Sequence, residues 1–245
     1  MGDVSKGFLL IASLSSAYYQ AAIKCAISIR DYYPDARITL YTHEDFIKES
    51  DRSLFENVIL GIPVHSRAKL WCLDKTPYDI TMYLDCDTEI QHEDINLIFD
   101  QIGDHDILIT RIREYAGKGT YINDNERMEY HCGAFLYRKN EKTIPFMKKW
   151  WEEYVYQIMQ KPWPWKEYSE RMRPWDQFAF WRLLKEDKSG IKIGVFPDDA
   201  RWNFVYTYND DEAKDEIVVY HYTIPSEIVH ANSIKNPSGS PTDIR

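Results

Sequence analysis

The sequence predicts a mixed α/β domain with a mostly parallel central sheet and helices on both faces. Three observations carry this. Short apolar runs alternate with helix-period segments through residues 8–84. The chain has 245 residues, enough for one full core that buries roughly 70–75% of the unfolded surface. No linker-like stretch and no internal repeat divides it, so residues 1–245 read as one domain.

The elements follow in order. FLLIA at 8–12 is a buried strand. Residues 16–33 form a helix, with Ala22, Ile23, Ala26, Ile27 and Ile29 at near-helical spacing, stopped by Pro34-Asp35. RITLY at 37–41 and NVIL at 57–60 are strands. A helix covers 66–76, ending before Pro77. ITMYL at 80–84 is a strand that runs straight into Asp85. DILIT at 106–110 and GAFLYR at 133–138 are strands, separated by a polar loop over 113–130 with Gly117 and Gly119. Helices are expected at 143–160 and 176–186, and strands near 193–196 and 217–222. From residue 232 the chain is rich in Ser, Pro and Gly and reads as a flexible tail.

The formal net charge of −9 disfavours a nucleic-acid or anionic-membrane surface. It leaves room for a nucleotide pocket, which needs only one or two local cations. Cys25, Cys72, Cys86 and Cys132 make neither a CxxC pair nor a zinc spacing, and read as buried free thiols in a reducing compartment. No leader pattern and no apolar run near the ~20 residues of a membrane span is present, so a cytoplasmic chain is expected. Aromatic residues make up 15% of the chain. Most pack in a core, and exposed rings suit sugar faces or bases.

The strongest chemical signal is Asp85-Cys86-Asp87 after the strand ITMYL. In parallel α/β sheets, ligands bind beyond the carboxyl ends of strands. Two carboxylates there can face one point and hold Mg²⁺ or Mn²⁺, which bridges diphosphate oxygens. A solvated acidic turn is the plain alternative. A dehalogenase-type phosphatase would need Thr or Val where Glu89 stands. His221, in VVYHYT, can complete the ligand set with a neutral imidazole. Lys69, in RAKLWCL, suits a diphosphate. Asp176-Gln177 opens a helix, where Asp is first of all an N-cap and otherwise a polar contact near a transferred sugar.

These segments together resemble glycosyltransferase family 8, the glycogenin-like and galactosyltransferase-like enzymes. The similarity runs through AYYQAAIKCAISIRDYYPDARITLYT, RAKLWCLDKTPYDITMYLDCDTEI, HCGAFLYRKN, WDQFAF, FPDDARWNF and VVYHYT, in order, over residues 8–223. The resemblance implies a GT-A fold and transfer of a sugar from a nucleotide diphosphate, usually UDP, with Mn²⁺ or Mg²⁺ and with retention of configuration. It implies metal ligands at Asp85, Asp87 and His221, and a phosphate contact at Lys69. It also implies uracil stacking on Tyr18 and a base-binding strand at Ile11, Ala12 and Ser13, with Cys86 beside the donor. Asp176 and Gln177 match contacts on the reactive face of the donor sugar. Residues 1–100 would be the nucleotide-binding half, 101–225 the donor-sugar and acceptor half, and 226–245 a tail. The chain departs from the family at three places. His131 replaces an Asn, Phe178 replaces the last Asp of D-Q-D, and TIPSE follows His221 where a phosphate-binding Lys is usual; Lys235 is a possible substitute.

The expected function is therefore a hexosyltransferase acting on a carbohydrate, glycolipid or protein acceptor. Two alternatives stand beside it. A sugar nucleotidyltransferase would need a Gly-rich loop that LLIASLSSAYYQ lacks. A non-catalytic nucleotide-sugar or carbohydrate-binding protein of the same fold fits the departures but not the intact Asp85, Asp87 and His221. KPWPWKEYSERMRPW at 161–175 either lines the acceptor side of the cleft with indole faces or caps the core.

Overall fold

The computed structural model describes residues 3–113, 121–123 and 126–234. Seven strands form the central sheet: β1 (Lys6–Ile11), β2 (Ile38–Tyr41), β3 (Asn57–Ile59), β4 (Ile80–Leu84), β6 (Ile107–Arg111), β9 (Tyr130–Arg138) and β10 (Ile193–Val195). Their order is β10-β6-β9-β4-β1-β2-β3. Every pairing is parallel except those of β9, which runs antiparallel to both β4 and β6. A second sheet of order β11-β12-β5 joins β5 (Thr88–Ile90), β11 (Phe204–Val205) and β12 (Val219–His221). Strands β7 (Tyr121–Asn123) and β8 (Glu126–Arg127) pair within the stretch expected as loop. Gly117, Gly119, Lys235 and most of the expected tail lie outside the described residues.

Side chains of β1 alternate between two cores. Phe8 and Leu10 pack with helix α1 (Ser16–Tyr32), which contributes Ala22, Cys25 and Ile29. Leu9 and Ile11 face the opposite side, where α2 (Lys69–Cys72), α3 (Thr143–Met159) and α4 (Asp176–Glu186) supply Leu70, Trp150 and Phe180. Helices on both faces therefore cover strands that are apolar on both sides, as expected. Ser15 caps α1 by accepting from the Ala17 amide, and the helix ends at Tyr33, the residue before Pro34. The expected helix over 66–76 is shorter: α2 continues only as a 3₁₀ turn over Leu73–Lys75. No helix among the described residues is long and apolar enough to cross a membrane.

The aromatic segment 161–175 builds a third core. Trp163 is 9% exposed, and its Nε1 donates to the Tyr168 carbonyl at 2.9 Å. Phe178, fully buried, is the hub: Trp163, Trp165, Tyr168 and Trp181 all lie with ring centroids within 6.1 Å of it. Arg182 covers Trp165 at 3.7 Å from the ring centroid. The rings thus pack on one another, which places Trp163 in a core while Trp165 and Trp175 stay half-buried. It also accounts for Phe178: a carboxylate there would be desolvated among indoles.

Candidate active site

Strand β4 delivers Asp85 to its carboxyl end, where the Asp85 amide donates to the Gly133 carbonyl of β9 at 2.7 Å. The turn that follows carries Cys86 and Asp87, and Thr88 closes it by donating to the Asp85 carbonyl at 2.8 Å. Strand β5 then pairs with β12 so that Thr88 lies opposite His221. That register brings a residue from near the end of the chain against the acidic turn. One ligand atom each from Asp85, Asp87 and His221 lies within 4.8 Å of the others. The three residues read from the sequence as metal ligands are therefore brought together.

His221 is 7% exposed. Its Nε2 lies 3.4 Å from Asp87 Oδ1, and its Nδ1 lies 2.9 Å from Asn203 Oδ1. Burial works against the imidazolium, but the Asp87 hydrogen bond and the Asp87 and Asp85 charges outweigh it and raise the pKa. His131 is the opposite case. Burial first, then the positive neighbours His221 and Lys69, push it down to about 3, so it is neutral. The two rings meet edge to face at 5.3 Å, both over Gly133. A Cβ on Gly133 would lie 2.7 Å from His221 Cε1 and 2.8 Å from His131 Cε1, so only glycine fits there.

Lys69 is 6% exposed. Its ammonium reaches Asp85 Oδ1 at 3.1 Å, Asp176 Oδ2 at 3.0 Å and the Cys132 carbonyl at 2.8 Å. Asp85 and the Cys132 carbonyl accept hydrogen bonds from it, and Asp176 pairs with it by charge. Asp176 also meets Arg67 Nε at 3.1 Å. It is the first residue of α4, whose N-cap is Trp175 with no capping side chain. The N-cap reading of Asp176 is thereby corrected, because its carboxylate faces the two cations. Burial opposes its charge, yet Lys69 and Arg67 hold it at about 2. Tyr83 donates its hydroxyl to Asp85 Oδ1, and burial raises that phenol strongly.

Ile11, Ser13, Tyr18, Arg67, Lys69, Asp85, Cys86 and Asp87 line one open cleft of about 490 Å³, together with His65, Ser66, Ala68 and Tyr83. Ser13 is fixed by three contacts: its hydroxyl donates to the Pro63 carbonyl at 2.5 Å, accepts from the His65 amide at 3.2 Å and lies 3.1 Å from His43 Nε2. Tyr18 is half-buried, and burial raises its phenol to about 12. Ala12 is fully buried in the core next to this wall. Gln177 is half-buried, and its side chain makes no hydrogen bond among the described residues. Arg67 and Asn203 were not singled out from the sequence. Arg67 stands two residues before Lys69, and Asn203 lies in the FPDDARWNF turn, but their partners are distant in the chain.

No family model matches the chain, and no curated protein matches it in sequence. Solved structures do match. The crystal structure of galactosyltransferase LgtC in complex with donor and acceptor sugar analogs is 17% identical, covers 95% of this chain and 98% of that chain, and gives a TM-score of 0.54. Glycosyltransferase GlyE of Streptococcus pneumoniae TIGR4 is 14% identical over 89% of this chain and 55% of that chain, with a TM-score of 0.60. Mouse xyloside xylosyltransferase 1 is 14% identical over 88% of this chain and 97% of that chain, with a TM-score of 0.54. The chain therefore has the GT-A fold of these glycosyltransferases.

Proposed function

We propose that this protein is a glycosyltransferase that moves a sugar from a nucleotide diphosphate donor, UDP-sugar, to an acceptor hydroxyl with retention. The acceptor is a carbohydrate, glycolipid or protein. The observation that carries the reading is the meeting of Asp85, Asp87 and His221 at the edge of a cleft that also holds Tyr18 and Arg67.

Two carboxylates and an imidazole suit Mn²⁺ or Mg²⁺. When bound, such a cation neutralises charge on the departing nucleoside diphosphate. The protein's own residues account for the rest. The Tyr18 ring offers a face to the uracil, with Ile11, Ala12 and Ser13 behind it and Cys86 at the turn. Arg67 is the accessible cation of the cleft, with 36% of its side chain exposed, and takes the diphosphate. Lys69 adds positive potential and ties Asp85 to Asp176. Asp176 remains ionised at neutral pH, so it presents a fixed negative charge where positive charge develops at the anomeric carbon, with Gln177 beside it. Residues 1–100 form the nucleotide half, 101–225 the sugar and acceptor half and 226–245 the tail. Four free, buried cysteines suit a cytoplasmic, reducing setting.

Calorimetry with UDP, GDP, CDP and ADP, with and without Mn²⁺, tests this, followed by a donor-hydrolysis screen of UDP-sugars. UDP is expected to bind best and to need the cation. Equal or metal-independent affinity for all four nucleotides overturns the reading.

A further inference from the structure

We propose that Asn203 is a positioning residue whose side-chain amide holds His221 in the one neutral tautomer that leaves Nε2 free for a cation beside Asp87. The inference rests on the metal reading above and goes beyond it, because the polarity of the contact is fixed by residues that touch no metal.

Asn203 is 1% exposed, on the turn that leads into β11. Its Oδ1 lies 2.9 Å from His221 Nδ1. Its Nδ2 lies 2.8 Å from His131 Nδ1 and 3.0 Å from Thr110 Oγ1. The two ends of an amide have the same shape, so the neighbours must decide which end is oxygen. Two of them do. The Gly133 backbone amide lies 3.2 Å from His131 Nδ1, and a backbone N–H can only donate. His131 Nδ1 must therefore accept, and the Asn203 group beside it must be the NH₂. Independently, the Thr110 hydroxyl donates to the His131 carbonyl at 3.4 Å, which leaves its oxygen to accept from the same NH₂.

The Asn203 carbonyl then faces His221, and His221 Nδ1 must carry the proton. A neutral imidazole has one N–H, so Nε2 keeps its lone pair. This ordering is not what His221 and Asp87 would choose alone. With Nε2 at 3.4 Å from Asp87 Oδ1, the simplest arrangement is Nε2–H donating to the carboxylate, which would consume the ligand nitrogen. The relay from Gly133 and Thr110 through Asn203 offers Nδ1–H a competing acceptor. Orienting contacts of this kind set the ring and tautomer of metal-ligating histidines.

The test uses full-length metal-free protein with ¹⁵N-labelled histidine. Long-range ¹H–¹⁵N spectra at a pH where His221 is neutral report its tautomer, and calorimetry with Mn²⁺ alone reports affinity. Wild type is expected to show His221 as Nδ1–H. Asn203→Ala should move it to Nε2–H and weaken Mn²⁺ by about 10–100-fold. Asn203→Asp keeps an acceptor at His221 and should restore Nδ1–H there and near-wild-type affinity. If Asn203→Ala does not fold, the tautomer of His221 in wild type and in Asn203→Asp decides the matter. Nε2–H at His221 in wild type, or equal losses in the two variants, overturns the proposal. Wild type that shows Nδ1–H but does not bind Mn²⁺ supports the relay and overturns the metal reading instead.

Discussion

Replacing Asp176 by Asn tests whether the buried charges around Lys69 form one unit. Asp176 and Lys69 have side chains 3% and 7% exposed, with their charged atoms 3.0 Å apart. Arg67 adds a second cation at 3.1 Å. A carboxyl lowered from 3.8 to about 2 contributes on the order of 2 kcal/mol of stability at neutral pH. Asp176→Asn should therefore lose about 2–4 kcal/mol, the upper end arising because Lys69 keeps its charge and loses a partner. The pH dependence follows from the sign. The folded pKa is depressed, so the contribution is complete above about 3.8 and disappears as pH falls towards 2. Urea unfolding from pH 8 to pH 3 measures it: the gap between wild type and Asp176→Asn should be flat down to about pH 4 and then shrink. Lys69→Met alone should also destabilise. The double variant should lose less than the two singles together, by about 1–3 kcal/mol. A gap under about 0.5 kcal/mol at pH 7, or strict additivity, would refute the shared-charge argument.

Three further outcomes are expected. Gly133→Ala places a methyl against both His131 and His221, and should cost about 1–3 kcal/mol of stability and reduce Mn²⁺ affinity by at least about tenfold in calorimetry. Phe178→Ala removes the hub of the aromatic core and should cost about 3–5 kcal/mol, seen as a lowered urea midpoint and altered near-ultraviolet dichroism. Arg67→Ala should weaken UDP binding by about 1.5–3 kcal/mol, and an unchanged affinity would move the diphosphate contact elsewhere.

The elements with a strong local signal were legible. Strand β4 and helix α4 agree residue for residue with the sequence reading, because ITMYL is continuously apolar and α4 begins just after Pro174-Trp175. Strand β5 was not legible. It has three residues, one exposed, and exists because β12 pairs with it. The acidic pair was legible because both carboxylates lie in one turn. Asn203 was not, since its meaning comes from Thr110, His131 and His221, which only the fold assembles. Phe178 carried a signal that pointed elsewhere. In the sequence it stood out as a departure from D-Q-D, whereas it anchors the tryptophan segment.

The small β11-β12-β5 sheet has a consequence for how the gene can vary. His221 reaches Asp87 only because Val219, Tyr220 and His221 oppose Ile90, Glu89 and Thr88. Side chains alternate along a strand, so a shift of one residue would turn the imidazole away and bring a tyrosine into its place. One inserted or deleted codon within 219–221 should therefore abolish the histidine's place in the site while leaving most of the core intact. The exposed turn at Asp210–Glu212, which has no buried residue, carries no such constraint on its length. Insertions there change the outline of the protein without changing which residue arrives at the acidic turn.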